Sequence, residues 1–130
     1  MGEKMFYIIN NNNRPIYEQI KEKFIELIIN NALREGDKLP SVRELASMLT
    51  VNPNTVSKAY SRLEDEGMIE TLKGKGTFVK VGVKEVVLAY NYEMLMNKIK
   101  DVLESAKNLN IKFNALVDLE KQVLDKLEGK

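Results

Sequence analysis

The sequence predicts a mainly α fold with a small β-wing, and three observations carry that reading. Apolar residues recur at helical spacing over most of the chain. Between Leu39 and Val79 a short capped helix, a tight turn and a second helix opened by Asn-Pro follow one another. Two β-prone runs around a Gly-Lys-Gly tip close the stretch. In that order they describe a winged helix-turn-helix, and the residues beyond it read as a two-helix dimerisation tail.

Met5–Ile9 is an apolar run suited to a strand, and Asn10–Asn13 reads as a linker. Pro15 suits the first turn of a helix. Ile16, Ile20, Phe24, Leu27 and Ile28 then place one apolar stripe along that helix, which should fade near Leu33 before the loop Arg34–Asp37. Ser41 and Glu44 have the spacing of a capping box. Val42, Leu45, Ala46 and Leu49 supply the buried face of the helix so capped. Thr50–Asn52 turns the chain, Asn52 is an N-cap, and Pro53 starts a recognition helix over 53–66. Its core face is Val56, Ala59, Tyr60 and Leu63, and Gly67 is placed to end it in a left-handed conformation. Strands over Met68–Thr71 and Thr77–Val79 flank a wing over 72–77. A long helix carrying Val86, Val87, Tyr90, Met94, Ile99, Val102, Leu103 and Ala106 follows, its phase imperfect near Tyr92–Asn97. After a polar break at Lys107–Asn110 comes a second helix carrying Phe113, Leu116, Val117, Val123, Leu124 and Leu127. The expected domains are 1–81, with a core over 14–80, and 82–130 as an antiparallel pair of helices.

Composition restricts the chemistry. With 44% hydrophobic and 30% charged residues the chain has the balance of a soluble globular protein, and its 130 residues allow one modest core plus an appendage. Cysteine and histidine are both absent, which removes disulfides, thiolate chemistry and the commonest general base and metal ligand. Asp101 and Glu104 share a helix face best read as solvated. Gly74-Lys75-Gly76-Thr77 lacks the spacing of a phosphate-binding loop. The expectation is a protein that is no enzyme and needs no cofactor or metal. No window approaches the roughly 18 apolar residues of a membrane span, so a cytoplasmic location is expected.

Net charge is only +1, mildly unfavourable for a nucleic-acid binder. Its distribution answers in part, because Thr71–Val83 holds three lysines and no acid. A second helix of this kind is narrow enough for the major groove, where base edges are distinguishable. Its first turn needs small polar groups, here Asn54, Thr55 and Ser57. Arg43 is placed to lean toward a phosphate or guanine, and Lys58 and Arg62 toward the backbone. Lys73, Gly74 and Lys75 suit the minor groove. Ser41 and Asn52 complete the candidate DNA-binding set, although a structural capping role accounts for both. The ordered combination is far more specific than any part of it.

From Arg14 to Val79 the sequence resembles the winged-helix domain of the GntR family of bacterial transcription regulators. Pro15-Ile16-Tyr17 with Gln19-Ile20, then Gly36–Ala46, Asn54-Thr55-Val56, Ala59-Tyr60, Leu63-Glu64, Gly67, Gly74 and Gly76–Val79 carry the likeness. The resemblance implies DNA contact at Arg43, at the polar helix start (Asn52, Asn54, Thr55, Ser57) and at the wing glycine Gly74. Pro53 and Ser57 stand where the family pattern often has basic residues. Only 49 residues follow Val81, a length similar to the YtrA-type subfamily, whose two-helix tail dimerises. A homodimeric repressor on a palindromic double-stranded operator is the implied function, with no membrane partner and an unknown effector.

Two amphipathic helices of this size cannot hide both apolar faces in one another, which independently favours a second subunit as partner. Two other readings stand beside this one. A winged helix serving as a protein-interaction module fits the near-zero net charge. A ligand sensor in the tail is disfavoured, because two helices are expected to enclose little volume.

Overall fold

In the computed structural model residues 14–130 are described. The strand expected over Met5–Ile9 and the linker over Asn10–Asn13 lie outside these residues. Helix α1 spans Ile16–Ile29 with Pro15 just before it. Ile20, Phe24, Leu27 and Ile28 of its stripe are buried and Ile16 packs against them. Full burial of each such side chain contributes roughly 1.5–3 kcal/mol. The helix stops short of the expected Leu33 because Asn31 takes a left-handed φ of 62°. The amides of Ala32 and Leu33 then donate back to the Leu27 carbonyl, and Leu33 returns to the core.

Helix α2, Val42–Leu49, opens on the capping box that the sequence predicts. The Glu44 amide donates to Ser41 Oγ, and the Ser41 amide donates to the Glu44 carboxylate, each at 3.1 Å. Leu45 and Ala46 are buried, while Val42 and Leu49 are half-buried. Thr50 turns the chain with φ 55°. Helix α3, Pro53–Asp65, ends one residue before the expected 66, since Glu66 is its C-cap and Gly67 takes φ 79°. Strands β1 (Ile69–Leu72) and β2 (Gly76–Val79) pair antiparallel, with Ile69 opposite Val79 and Leu72 opposite Gly76. Lys38 bridges to Phe78, and the Leu39 amide donates to the Thr77 carbonyl at 2.8 Å, so the segment before α2 is docked on β2.

The core lies among α1, α2, α3 and the hairpin. Phe24 meets Tyr60 edge-to-face at 5.6 Å. The Tyr60 hydroxyl donates to the Pro40 carbonyl at 2.6 Å. Burial, and secondarily the Glu44 charge, pushes that phenol well above its usual pKa.

Helix α4 spans Val83–Asn108 and α5 spans Phe113–Leu127. The chain divides into two compact units between Tyr90 and Asn91, later than the boundary expected at 81/82. The reason is that Val83 and Val87 are buried in the first core and Val86 and Tyr90 pack against it. The Lys21 ammonium pairs with Glu66 and lies 5.2 Å from the Tyr90 ring centroid, adding a polar tie at the same place.

In the second unit Asn110 (φ 57°) reverses the chain, and the Ile111 amide donates to the Ala106 carbonyl. Ala106 and Leu116 are the buried apolar residues there. Leu95, Ile99, Val102 and Leu103 of α4 and Leu119, Val123, Leu124 and Leu127 of α5 line an open groove of about 460 Å³. The groove is open to solvent rather than enclosed by the two helices, and its lining is almost entirely apolar.

Candidate nucleic-acid interface

The start of α3 follows from local chemistry. Asn52 has extended backbone and accepts the Asn54 amide on its side-chain oxygen at 2.8 Å. Pro53 has no N–H to satisfy. Val56, Ala59, Tyr60 and Leu63 turn into the core, which forces the intervening positions outward by the helical period. Asn54, Ser57, Lys58 and Arg62 are exposed, and Thr55 is half-buried.

Two shallow concavities flank this helix start. One, of about 510 Å³, is lined by Arg43, Ala46, Ser47, Thr50, Val51 and Pro53. It brings Arg43 of α2 beside the first residue of α3. The other, of about 570 Å³, is lined by Pro15, Ile16, Tyr17, Asn54, Thr55 and Lys58. Predicted residues thus gather on both sides of one helix terminus, where backbone N–H groups lack intrahelical partners.

The wing residues Lys73, Gly74 and Lys75 are exposed at the hairpin tip. The Lys75 amide donates to the Leu72 carbonyl, and Gly74 takes φ 78°. Gly76 is required more stringently. Its φ is 121°, and a Cβ there would lie 2.8 Å from Lys38 Cε.

Among the described residues, Arg43, Lys58, Arg62, Lys73 and Lys75 make no ion pair with a carboxylate. Their charges face solvent and suit phosphate. Ser41 is exposed, but its hydroxyl is committed to the Glu44 amide. Asn52 keeps its NH₂ group as a donor while its oxygen serves the cap. The Ser41 amide, then the Ser41 hydroxyl, hold the Glu44 carboxyl below the usual glutamate pKa.

Two residues of this surface escape sequence reasoning. Lys38 lies against the base of the wing, its side chain beside Gly76. Tyr17 stands beneath α3, with Lys58 Nζ at 4.1 Å and Arg62 Cζ at 5.9 Å from its ring centroid. Neither neighbour is close in sequence, so spacing gives no signal. The only hint is that both residues, in Pro15-Ile16-Tyr17 and in Gly36–Ala46, belong to the family-like stretch. Among the described residues no group of three or more acidic, histidine or cysteine side chains is placed to hold a metal, and no helix is long and apolar enough to cross a membrane.

A polar helix start between two clefts, followed by a lysine-tipped hairpin, defines the class: a winged helix-turn-helix regulator of the DNA-binding kind. The family described as "Bacterial regulatory proteins, gntR family" matches residues 16–79. The chain is 38% identical over 125 residues to the HTH-type transcriptional repressor YtrA of Bacillus subtilis (strain 168), covering 96% of each. Its structure is similar to that of YtrA from Sulfolobus acidocaldarius, a GntR-family transcription factor, with TM-score 0.57 and 44% identity over 71% of this chain and 98% of that one. It is also similar to AraR(DBD) in complex with operator ORX1, with TM-score 0.52 and 26% identity over 57% of this chain and 95% of that one. The chain belongs to the GntR family, in its YtrA-type branch, and is a DNA-binding transcription regulator rather than an enzyme.

Proposed function

We infer that this protein is a homodimeric, sequence-specific repressor that binds a palindromic operator through α3 and the wing, in the cytoplasm where the chromosome lies. The observation that carries the reading is the exposed polar and basic surface along Asn52–Arg62, free of carboxylate partners among the described residues, with Arg43 lining the cleft on one side of the helix start and Lys73 and Lys75 exposed at the hairpin tip. Base edges fall to Asn54, Thr55 and Ser57, with Arg43 at a phosphate or guanine. The NH₂ of Asn52, Lys58, Arg62 and the wing amide of Gly74 serve the backbone, with Lys73 and Lys75 in the minor groove. Ser41 acts through the cap that holds Arg43. The B. subtilis relative is named a repressor, which supports repression over activation.

Dimerisation is assigned to 91–130, where the antiparallel α4–α5 arrangement leaves an apolar face for a second copy. A C2 dimer would present its two recognition helices about 34 Å apart, one turn of DNA. Selection of bound fragments from random duplex DNA tests binding, half-site symmetry and spacing together. Enrichment of inverted half-sites is the expected result, and recovery of no sequence above background overturns the reading. The groove favours one second reading, a small apolar effector, since its volume falls within the roughly 300–1,000 Å³ of ligand pockets. A dimer that persists without ligand in sedimentation, with no heat on titrating apolar metabolites, excludes it.

A further inference from the structure

We propose that Tyr17, on the first turn of α1, is a positioning residue for DNA contact, its ring holding the Lys58 and Arg62 cations of α3 ready for phosphate. This rests on the reading above that Lys58 and Arg62 meet the DNA backbone. Lys58 Nζ stands 4.1 Å from the ring centroid and Arg62 Cζ stands 5.9 Å from it. Both fall inside the reach of about 6 Å over which a ring face attracts a cation. The two cations are one turn apart on the same helix, where like charges repel. The negative face of the one aromatic ring that both approach offsets that repulsion without neutralising either charge. A carboxylate in the same place would do the opposite, cancelling the charge that phosphate needs.

Tyr17 is itself held. It packs half-buried against the core, and its hydroxyl donates to Glu18 Oε1 at 3.4 Å. It also lines the concavity that contains Asn54, Thr55 and Lys58, so the restrained ammonium stands beside the open start of α3. Fixing a long side chain before binding lowers the ordering cost on contact. The simple alternative is that the ring only packs, in which case its loss would act on stability and not on the two cations.

The test uses the full chain and a duplex recovered by selection from random DNA. Affinity is measured across salt concentrations for Y17F, Y17L, K58A/R62A and the triple variant. Y17F, which keeps the ring, binds as wild type. Y17L binds about two- to fivefold more weakly, and adds no further loss in the K58A/R62A background. K58A/R62A flattens the salt slope by about two. An equal loss from Y17L in both backgrounds overturns the positioning role while leaving the phosphate contacts standing. Wild-type affinity and slope for K58A/R62A would instead remove the contacts, and Tyr17's role with them. Should Y17L fail to fold, the ring current decides: Lys58 ε-methylene protons lie upfield in wild type and Y17F, and normal positions there refute the proposal.

Discussion

The two units of this chain treat their apolar residues in opposite ways. Up to Tyr90 the large aliphatic and aromatic side chains close on one another, with Ile20, Phe24, Leu45, Val56 and Leu63 fully buried. From Asn91 onward most residues of the same types stand open, Leu127 at 80% and Leu95 at 55% exposure, with Leu116 an exception. Helix α4 crosses from one regime to the other, since Val83 and Val87 are buried while Ile99, Val102 and Leu103 are exposed. An amphipathic helix draws most of its stability from covering its apolar stripe. A helical pair this small has too little interior to stand alone. The first unit is therefore stabilised from within, and the second leaves its apolar stripe open, as the proposed dimer requires.

The largest expected effect breaks the first half of that contrast. Phe24→Ala should cost about 3–5 kcal/mol in urea unfolding, because it removes a fully buried ring and its edge contact with Tyr60. A loss below about 1 kcal/mol, small for a fully buried aromatic, would mean that the core is less closed than its burial indicates. Next comes the second half. Ile99→Glu with Leu124→Glu places carboxylates in the groove. Sedimentation should then report monomer, and operator affinity should fall about 10²-fold through lost avidity. The unfolding midpoint of the first unit should hold. A dimer that survives both charges would show that the groove is not the seam.

Much of the first unit was legible because its determinants are local. Ser41 and Glu44, Asn52 and Pro53, and the glycines at 67 and 74 each act within a few residues, and each adopts the geometry that its spacing predicts. The outward set on α3 follows from the inward one. What escaped was tertiary. The end of α1 depends on Asn31 turning left-handed so that Leu33 reaches the core, and composition placed the end later. The unit boundary depends on Val83 and Val87 finding a neighbour's core, which periodicity alone does not reveal. Lys38 at the wing and Tyr17 under α3 are neighbours only after folding.

Smaller perturbations sharpen the contrast, since each should move the first unit and leave the proposed dimer untouched. Gly76→Ala forces a side chain onto φ 121° against Lys38. It should cost about 1–3 kcal/mol, read as a lower melting temperature at unchanged sedimentation. Ser41→Ala removes the cap of α2 and should cost about 1 kcal/mol.

Glu44→Gln should produce the least change, and only its pH dependence identifies it. The Ser41 amide and hydroxyl bonds lower the Glu44 pKa in the folded state. The unfolded chain therefore binds its proton first as pH falls. The carboxylate's contribution is complete above the unfolded value of about 4.3, and is lost as pH drops through the lower folded value. Glutamine at this position still accepts the Ser41 amide but carries no charge to titrate. Melting profiles of wild type and E44Q should thus lie apart at neutral pH, wild type higher, and approach each other in acid. A constant separation down to acid pH would show that the box acts by geometry alone and that its charge is immaterial.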